Sequence, residues 1–397
     1  MYIAHLLLSA TFLIFAGKTF AMASKPNDMG AITSPLNIPL HEVYQDKFLI
    51  GSVISGGLHA HQPPYRQDEQ ELEILAREFN SLTSENNMKM QYIQPREGEF
   101  YFGGSDAAID FAEEHDMDYI GHALVWHHQV PDWLFKHADG SEVDRDTLIK
   151  RMYTHIHTVV SRYKGRIKYW DVVNEAIDTK QVDGEQIAFL RESPWLKIIG
   201  PEYIGMAFRA AHEADPSALL LYNDFSMFEP AKIQFTAELF KGLMAKGMPI
   251  HGVGFQGHWH LKYPKISEVE AAIDRMAALG LKVSISELEI GILPLADEHQ
   301  GAEIDRSIAL AERLNPYVDN VPDSILQQQA RRYNDIFELL LRKSDSVERV
   351  TFWGTLDQYS WLNNWPIEGR TAWPALFDRD YQAKPAYNAI SDLMPWE

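Results

Sequence analysis

Two segments of this chain each run from apolar residues into a carboxylate. Lys168-Tyr-Trp-Asp-Val-Val-Asn174-Glu175-Ala176 delivers an Asn-Glu pair at the end of a strand-like stretch. Val283-Ser-Ile-Ser-Glu287-Leu-Glu289 does the same further on. Carboxyls at the ends of two different strands suit cleavage of a glycosidic bond, where one donates a proton and the other attacks or guides water. A lone strand-end Glu is most often an ordinary ion-paired side chain. Company changes that reading, because other apolar runs also end in polar groups. These are Glu85-Asn86 with Lys89, His122 with Trp126 and Gln129, Asn223-Asp224, Gln256 with His258, and Trp353 on to Trp361. Carboxylates for chemistry, amides and Lys for hydroxyls, and Trp for ring faces make a sugar-site inventory.

Metal chemistry is the main rival for the histidines. His155 and His157 stand two apart on a helical pattern, so they point in different directions. The chain has no His-Glu-x-x-His or comparable zinc spacing. It has no phosphate loop, dinucleotide fingerprint or Gly-x-Ser-x-Gly elbow either. No metal and no cofactor are expected.

Something must hold the polar strand ends together on one face. Strand-like runs fall at 47–54, 79–84, 119–125, 167–173, 218–222, 252–256, 282–286 and 349–352. They are short and mostly apolar throughout, as parallel strands buried on both faces are. Helical periodicity falls at 67–78, 106–114, 147–163, 202–213, 231–246, 267–279, 324–343 and 384–393. Strand–helix alternation on this scale predicts an α/β fold, a single (β/α)8 TIM barrel, with its site at the C-terminal strand ends. The segment 290–323 is too long for an ordinary βα connection. It predicts an inserted loop after strand 7, with a small helix over 302–314.

Composition narrows the class. The chain has 397 residues, 46% hydrophobic, with a formal net charge of −20. Nucleic acids and anionic membranes attract basic surfaces, so neither is an expected partner. With no cysteine there is no disulfide, thiolate nucleophile or thiolate zinc site. At the N-terminus an apolar run, Leu6 to Phe15, is followed by Lys18 and small residues around Ala21 and Ala23. It is too short to span a bilayer and reads as a cleaved signal peptide over 1–23, although only His5 precedes it as a basic group. Residues 24–397 then form one catalytic domain, secreted or periplasmic, free of the membrane after cleavage, and expected to be a monomer.

With these residues in view, the chain resembles glycoside hydrolase family 10, the retaining endo-β-1,4-xylanases. The resembling blocks include Phe79 to Lys89, Gly121 to His127, Trp170 to Ala176, Tyr222 to Phe225, Gly252 to His258, Ser286 to Glu289 and Phe352 to Trp361. Leu376 to Asp378 and Lys384 to Tyr387 complete the order. The resemblance implies Glu175 as general acid/base and Glu287 as nucleophile. It implies that Asn174 binds the 2-hydroxyl at the cleavage point and orients the nucleophile, and that His258 holds the nucleophile with Gln256 nearby. Glu85, Asn86, Lys89, His122, Trp126 and Gln129 would bind the non-reducing side, walled by Trp353 and Trp361. The implied partners are β-1,4-xylan and xylo-oligosaccharides. The family usually carries Asp two residues after the nucleophile. Here Glu289 keeps the charge on a side chain one methylene longer, which implies a shifted pH optimum. Two further readings stand beside this one: a related β-1,4-glycanase or xylo-oligosaccharide specialist, and a non-catalytic carbohydrate-binding barrel, which would not be expected to keep both glutamates.

Overall fold

A computed structural model of the chain describes residues 38–294, 314–366 and 368–393. Among the described residues, eight parallel strands close into a barrel: β1 (Leu49–Ile54), β2 (Ser81–Ser84), β3 (Asp118–Val125), β4 (Tyr169–Asn174), β5 (Leu219–Asp224), β6 (Gly252–Phe255), β7 (Lys282–Gly291) and β8 (Val347–Phe352). Closure comes from β8, which pairs with β7 on one side and with β1 on the other. Helices follow the strands in turn: α1 (Glu69–Glu78), α2 (Gly103–Glu114), α3 (Arg145–Arg162), α4 (Tyr203–Ala214), α5 (Pro230–Ala245), α6 (Ile266–Ala277), α7 (Asp323–Arg342) and α8 (Pro385–Ser391). This is the (β/α)8 barrel that the alternation predicts.

Local chemistry explains where the elements begin. Asp68 accepts the backbone N–H groups of Gln70 and Glu71 and so caps α1, and Asp144 accepts that of Thr147 to cap α3. Pro230 opens α5, where a missing N–H costs nothing. The main apolar cluster fills the space between sheet and helices, with Trp170, Phe208, Phe240, Ile285, Phe337 and Phe352 among its buried members. Ile120, Tyr169 and Leu221, on neighbouring strands, form a separate small cluster. Strand side chains alternate between faces, so this cluster belongs to the barrel's inner face.

Seven predicted strands agree with the structure to within two residues at each end. The seventh does not stop at 286. It runs on to Gly291, because Glu289, Ile290 and Gly291 pair with a short strand, His258–His260. Glu287 and Glu289 therefore lie within β7 rather than beyond it. An antiparallel hairpin, Ile177–Val182 with Glu185–Leu190, also follows β4 and was not expected. The predicted helix over 302–314 lies outside the described residues except for Leu314, and the signal peptide over 1–23 lies outside them entirely. No helix among the described residues is long and apolar enough to cross a membrane.

Candidate active site

A cleft of about 710 Å³ opens at the C-terminal ends of the strands. All fourteen site residues expected from the sequence line it: Glu85, Asn86, Lys89, His122, Trp126, Gln129, Asn174, Glu175, Gln256, His258, Glu287, Glu289, Trp353 and Trp361. Topology brings them there, since a barrel directs all its C-terminal strand ends to one face.

Glu175 stands immediately past β4 with φ +56°. A non-glycine residue in this left-handed region costs on the order of 1–3 kcal/mol, so the surroundings must hold it there. Its N–H donates to the carbonyl of Asn223 at 2.9 Å, and its own carbonyl accepts from Arg191 Nε at 2.9 Å. The following N–H, of Ala176, donates to the Tyr222 hydroxyl at 3.0 Å. The carboxylate accepts from Trp126 Nε1 on one oxygen and Gln256 Nε2 on the other, both at 3.0 Å.

Glu287 is held from two sides. Asn223 Nδ2 donates to Oε1 at 2.7 Å, and His258 Nε2 lies 3.1 Å from Oε2. The other ring nitrogen of His258 lies 2.6 Å from Glu289 Oε1, an oxygen that also accepts from Trp361 Nε1 at 2.9 Å. Pairing between β7 and β8 shifts register between Ile285 and Leu288, and such irregularities re-aim side chains. Burial opposes charge on both groups, yet the arrangement overcomes it. For His258, burial lowers the basicity of the ring, but the two flanking carboxylates push its pKa up to about 10. It is an imidazolium at neutral pH, donating from both nitrogens. For Glu287, burial favours the neutral acid, but the hydrogen bond and charge of His258, with lesser help from Asn223, hold its pKa below the usual carboxylate value. Glu287 is therefore ionised at neutral pH.

Asn223 links the two carboxylate systems. Its Nδ2 also reaches Asn174 Oδ1 at 3.1 Å, and its Oδ1 accepts from Ser286 Oγ at 2.5 Å. One amide nitrogen of Asn223 thus donates to both Glu287 and Asn174. Gln256, expected near His258 and Glu287, donates to the Glu175 carboxylate. Asn223 is visible in the sequence as a strand-end polar residue, but only the pairing of β4 through β7 shows what it touches. Gly254 on β6 makes room for it, since a Cβ there would fall 2.2 Å from Asn223 Oδ1.

Beside these carboxylates lies a second polar group. Lys89 Nζ and Gln129 Nε2 both donate to Asn86 Oδ1, at 3.2 and 3.0 Å. Lys89 lies 5.0 Å from the centroid of the Trp126 ring. Burial lowers its pKa, opposed by the charges of Glu287, Glu85 and Glu175. Glu85 accepts from Ser55 Oγ, and His122 Nδ1 pairs with Asp171 at 2.9 Å. Trp353 meets His122 edge-on at 5.5 Å between centroids, and Trp361 meets His258 at 5.4 Å. The cleft also takes in Phe225, Tyr263, Trp365 and Trp373, which the sequence reading did not single out. No group of three or more His, Asp or Glu side chains among the described residues is arranged to hold a metal ion.

A buried ionised carboxylate on β7 faces a cleft shared with a second carboxylate past β4, amid amides, a lysine and tryptophans. On a (β/α)8 barrel this is the site of a glycoside hydrolase. The chain belongs to glycosyl hydrolase family 10, whose sequence model matches residues 39–393. Endo-1,4-beta-xylanase A of Xylanibacter ruminicola is 41% identical over 354 residues, spanning 89% of this chain and 93% of the relative. An endo-1,4-beta-xylanase of Geobacillus stearothermophilus is 41% identical over 356 residues, spanning 89% and 98%. Among solved structures, a GH10 endoxylanase retrieved from a sugarcane soil metagenome superposes with a TM-score of 0.80 at 38% identity, covering 90% of this chain and 99% of the other.

Proposed function

We propose that the chain is a secreted, retaining endo-β-1,4-xylanase that cleaves xylan by double displacement, with Glu287 as nucleophile and Glu175 as general acid/base. One observation carries the reading: Glu287 is kept ionised by a doubly paired His258, in the same cleft as Glu175. In the first step a Glu287 oxygen attacks the anomeric carbon, while Glu175 gives its proton to the glycosidic oxygen as the C1–O bond breaks. In the second, Glu175 takes a proton from water, whose oxygen attacks C1 and frees Glu287. Asn86 and Lys89 then meet sugar hydroxyls and Trp353 and Trp361 wall the sugar, a reading supported by their lining the same cleft. Two relatives named as endo-1,4-beta-xylanases support xylan as the substrate. Export is supported by the apolar run from Leu6 to Phe15 and the small residues that follow.

The test is incubation of purified protein with β-1,4-xylan, carboxymethyl cellulose and mannan, following product length. A mixture of short xylo-oligosaccharides from xylan alone is expected. A single short product would mean that one end of the cleft is closed. Release from the glucan with none from xylan would overturn the substrate and leave the two-carboxylate chemistry.

A further inference from the structure

Behind Glu175 lies a buried ionic group that the two-carboxylate chemistry does not use. Lys232 on α5 and Asp224 at the end of β5 are 1% and 0% exposed. Lys232 Nζ donates to Asp224 Oδ1 at 2.8 Å, and that oxygen also accepts the Phe225 N–H at 2.9 Å. The Tyr222 hydroxyl donates to the other oxygen, Oδ2. A phenol has one proton, so with that proton committed to Asp224 its oxygen can only accept from Ala176 N–H, as it does at 3.0 Å. The donors converge on Asp224: the ammonium donates to one oxygen, and the backbone N–H that follows Glu175 donates to the phenol, which donates to the other. Lys232 Nζ also lies 4.1 Å from the centre of the Phe225 ring, which lines the cleft.

Burying a charge pair is costly, and a well-packed apolar pair would serve stability as well or better. The pair sits instead two bonds of a relay away from the strained turn that presents Glu175. We propose that Lys232 is a positioning residue for proton transfer by Glu175: through Asp224 and Tyr222 it fixes the left-handed turn and so the direction of the carboxyl group. This rests on the reading of Glu175 as acid/base. Neither Lys232 nor Tyr222 touches substrate in this proposal; both act through the turn.

The test compares aryl β-xylobiosides with a poor and a good leaving group, in wild type, Tyr222→Phe, Lys232→Met and Glu175→Ala, with thermal unfolding followed alongside. Tyr222→Phe keeps the ring and removes only the hydroxyl. For it we expect kcat/KM on the poor leaving group to fall about tenfold or more, with less than about threefold change on the good one, the scale of a partial loss of acid catalysis in the first step. Lys232→Met should show the same asymmetry on the fraction that folds. Equal losses on both substrates, or no loss on either in Tyr222→Phe, would overturn the proposal and leave the relay a purely structural pair. Glu175→Ala serves as the control. If it shows the leaving-group asymmetry and Tyr222→Phe does not, the positioning role alone fails. If Glu175→Ala lacks the asymmetry, the acid/base reading fails and the positioning role falls with it.

Discussion

Asn223 donates its side-chain amide to Glu287 at 2.7 Å while its amide oxygen accepts from Ser286, the residue before Glu287 in the chain. One side chain on β5 is thereby fixed at both ends by β7. Ionised Glu287 can only accept, so the NH₂ end must face it, and the amide oxygen is left to accept from the Ser286 hydroxyl. That end also reaches Asn174 at 3.1 Å. A contact across β6, between β5 and β7, thus determines how Glu287 is presented.

Asn223→Ala should cost the ionised Glu287 a charge-assisted hydrogen bond, about 1.5–3 kcal/mol, or roughly ten- to hundredfold in kcat. Gly254→Ala should impair the same contact by forcing the Asn223 amide from its place, given the 2.2 Å approach. Double-mutant kinetics separate the effects. Gly254→Ala should add little in the Asn223→Ala background. Full additivity would mean that the glycine acts elsewhere.

Glu287→Ala should lose turnover on xylan by roughly 10⁴-fold or more, the scale of removing a covalent nucleophile. Added azide should restore cleavage of activated substrates and give a product of inverted configuration, since the small anion attacks from the vacated face. Mass spectrometry and NMR of the azide adduct check this. Residual wild-type-like hydrolysis would remove Glu287 from the nucleophile role.

Glu175→Ala should fall by roughly 10²–10⁴-fold on xylan, the usual contribution of general acid–base catalysis. Substrates with activated leaving groups need no protonation and should be spared in the first step. The kcat/KM values on both substrate types, which report the first step, decide it. Equal losses would assign Glu175 a different part.

Several of these residues were legible in the sequence because their strands were. Short, wholly apolar runs ending in polar groups located seven of the eight strands closely and put all fourteen expected residues on one face. The seventh strand was misjudged at its end, since Leu288 and Ile290 alternate with the two glutamates and only the partner strand His258–His260 reveals the continuation. The hairpin after β4 was missed although its turn was written in Asp183-Gly184, two residues at positive φ that suit a tight two-residue connection. Its first strand, Ile-Asp-Thr-Lys-Gln-Val, is mostly polar, and the apolar residues of its second, Glu-Gln-Ile-Ala-Phe-Leu, run together without alternating. The partners of Asn223 and Gln256 were illegible for another reason: a hydrogen bond across three strands depends on register, which no single segment carries.

His258→Gln should change both activity and stability with pH. The Glu287 pKa is lowered in the fold mainly by His258 against the pull of burial, so without the imidazolium it should rise. The acid limb of kcat/KM should then move to higher pH. Stability follows from linkage. His258, raised to about 10 in the fold, contributes stability that is fully present below its unfolded pKa near 6.5 and is lost as pH rises through 10. Glu287, depressed in the fold, contributes stability above the ordinary carboxylate pKa that is lost as pH falls through its lowered folded value. The stability difference between wild type and variant should therefore be widest between about pH 5 and 6.5 and shrink toward pH 10. Denaturant unfolding across that range measures it, and a difference that grows with rising pH would refute the assigned charge on His258.

Double displacement is tested most directly by following the anomeric protons released from xylan by NMR within the first minutes of reaction. The β-anomer should appear first and the α-anomer only later, by mutarotation, because two inversions at C1 restore the starting configuration. Initial release of the α-anomer would mean a single displacement by water and would contradict Glu287 as a covalent nucleophile.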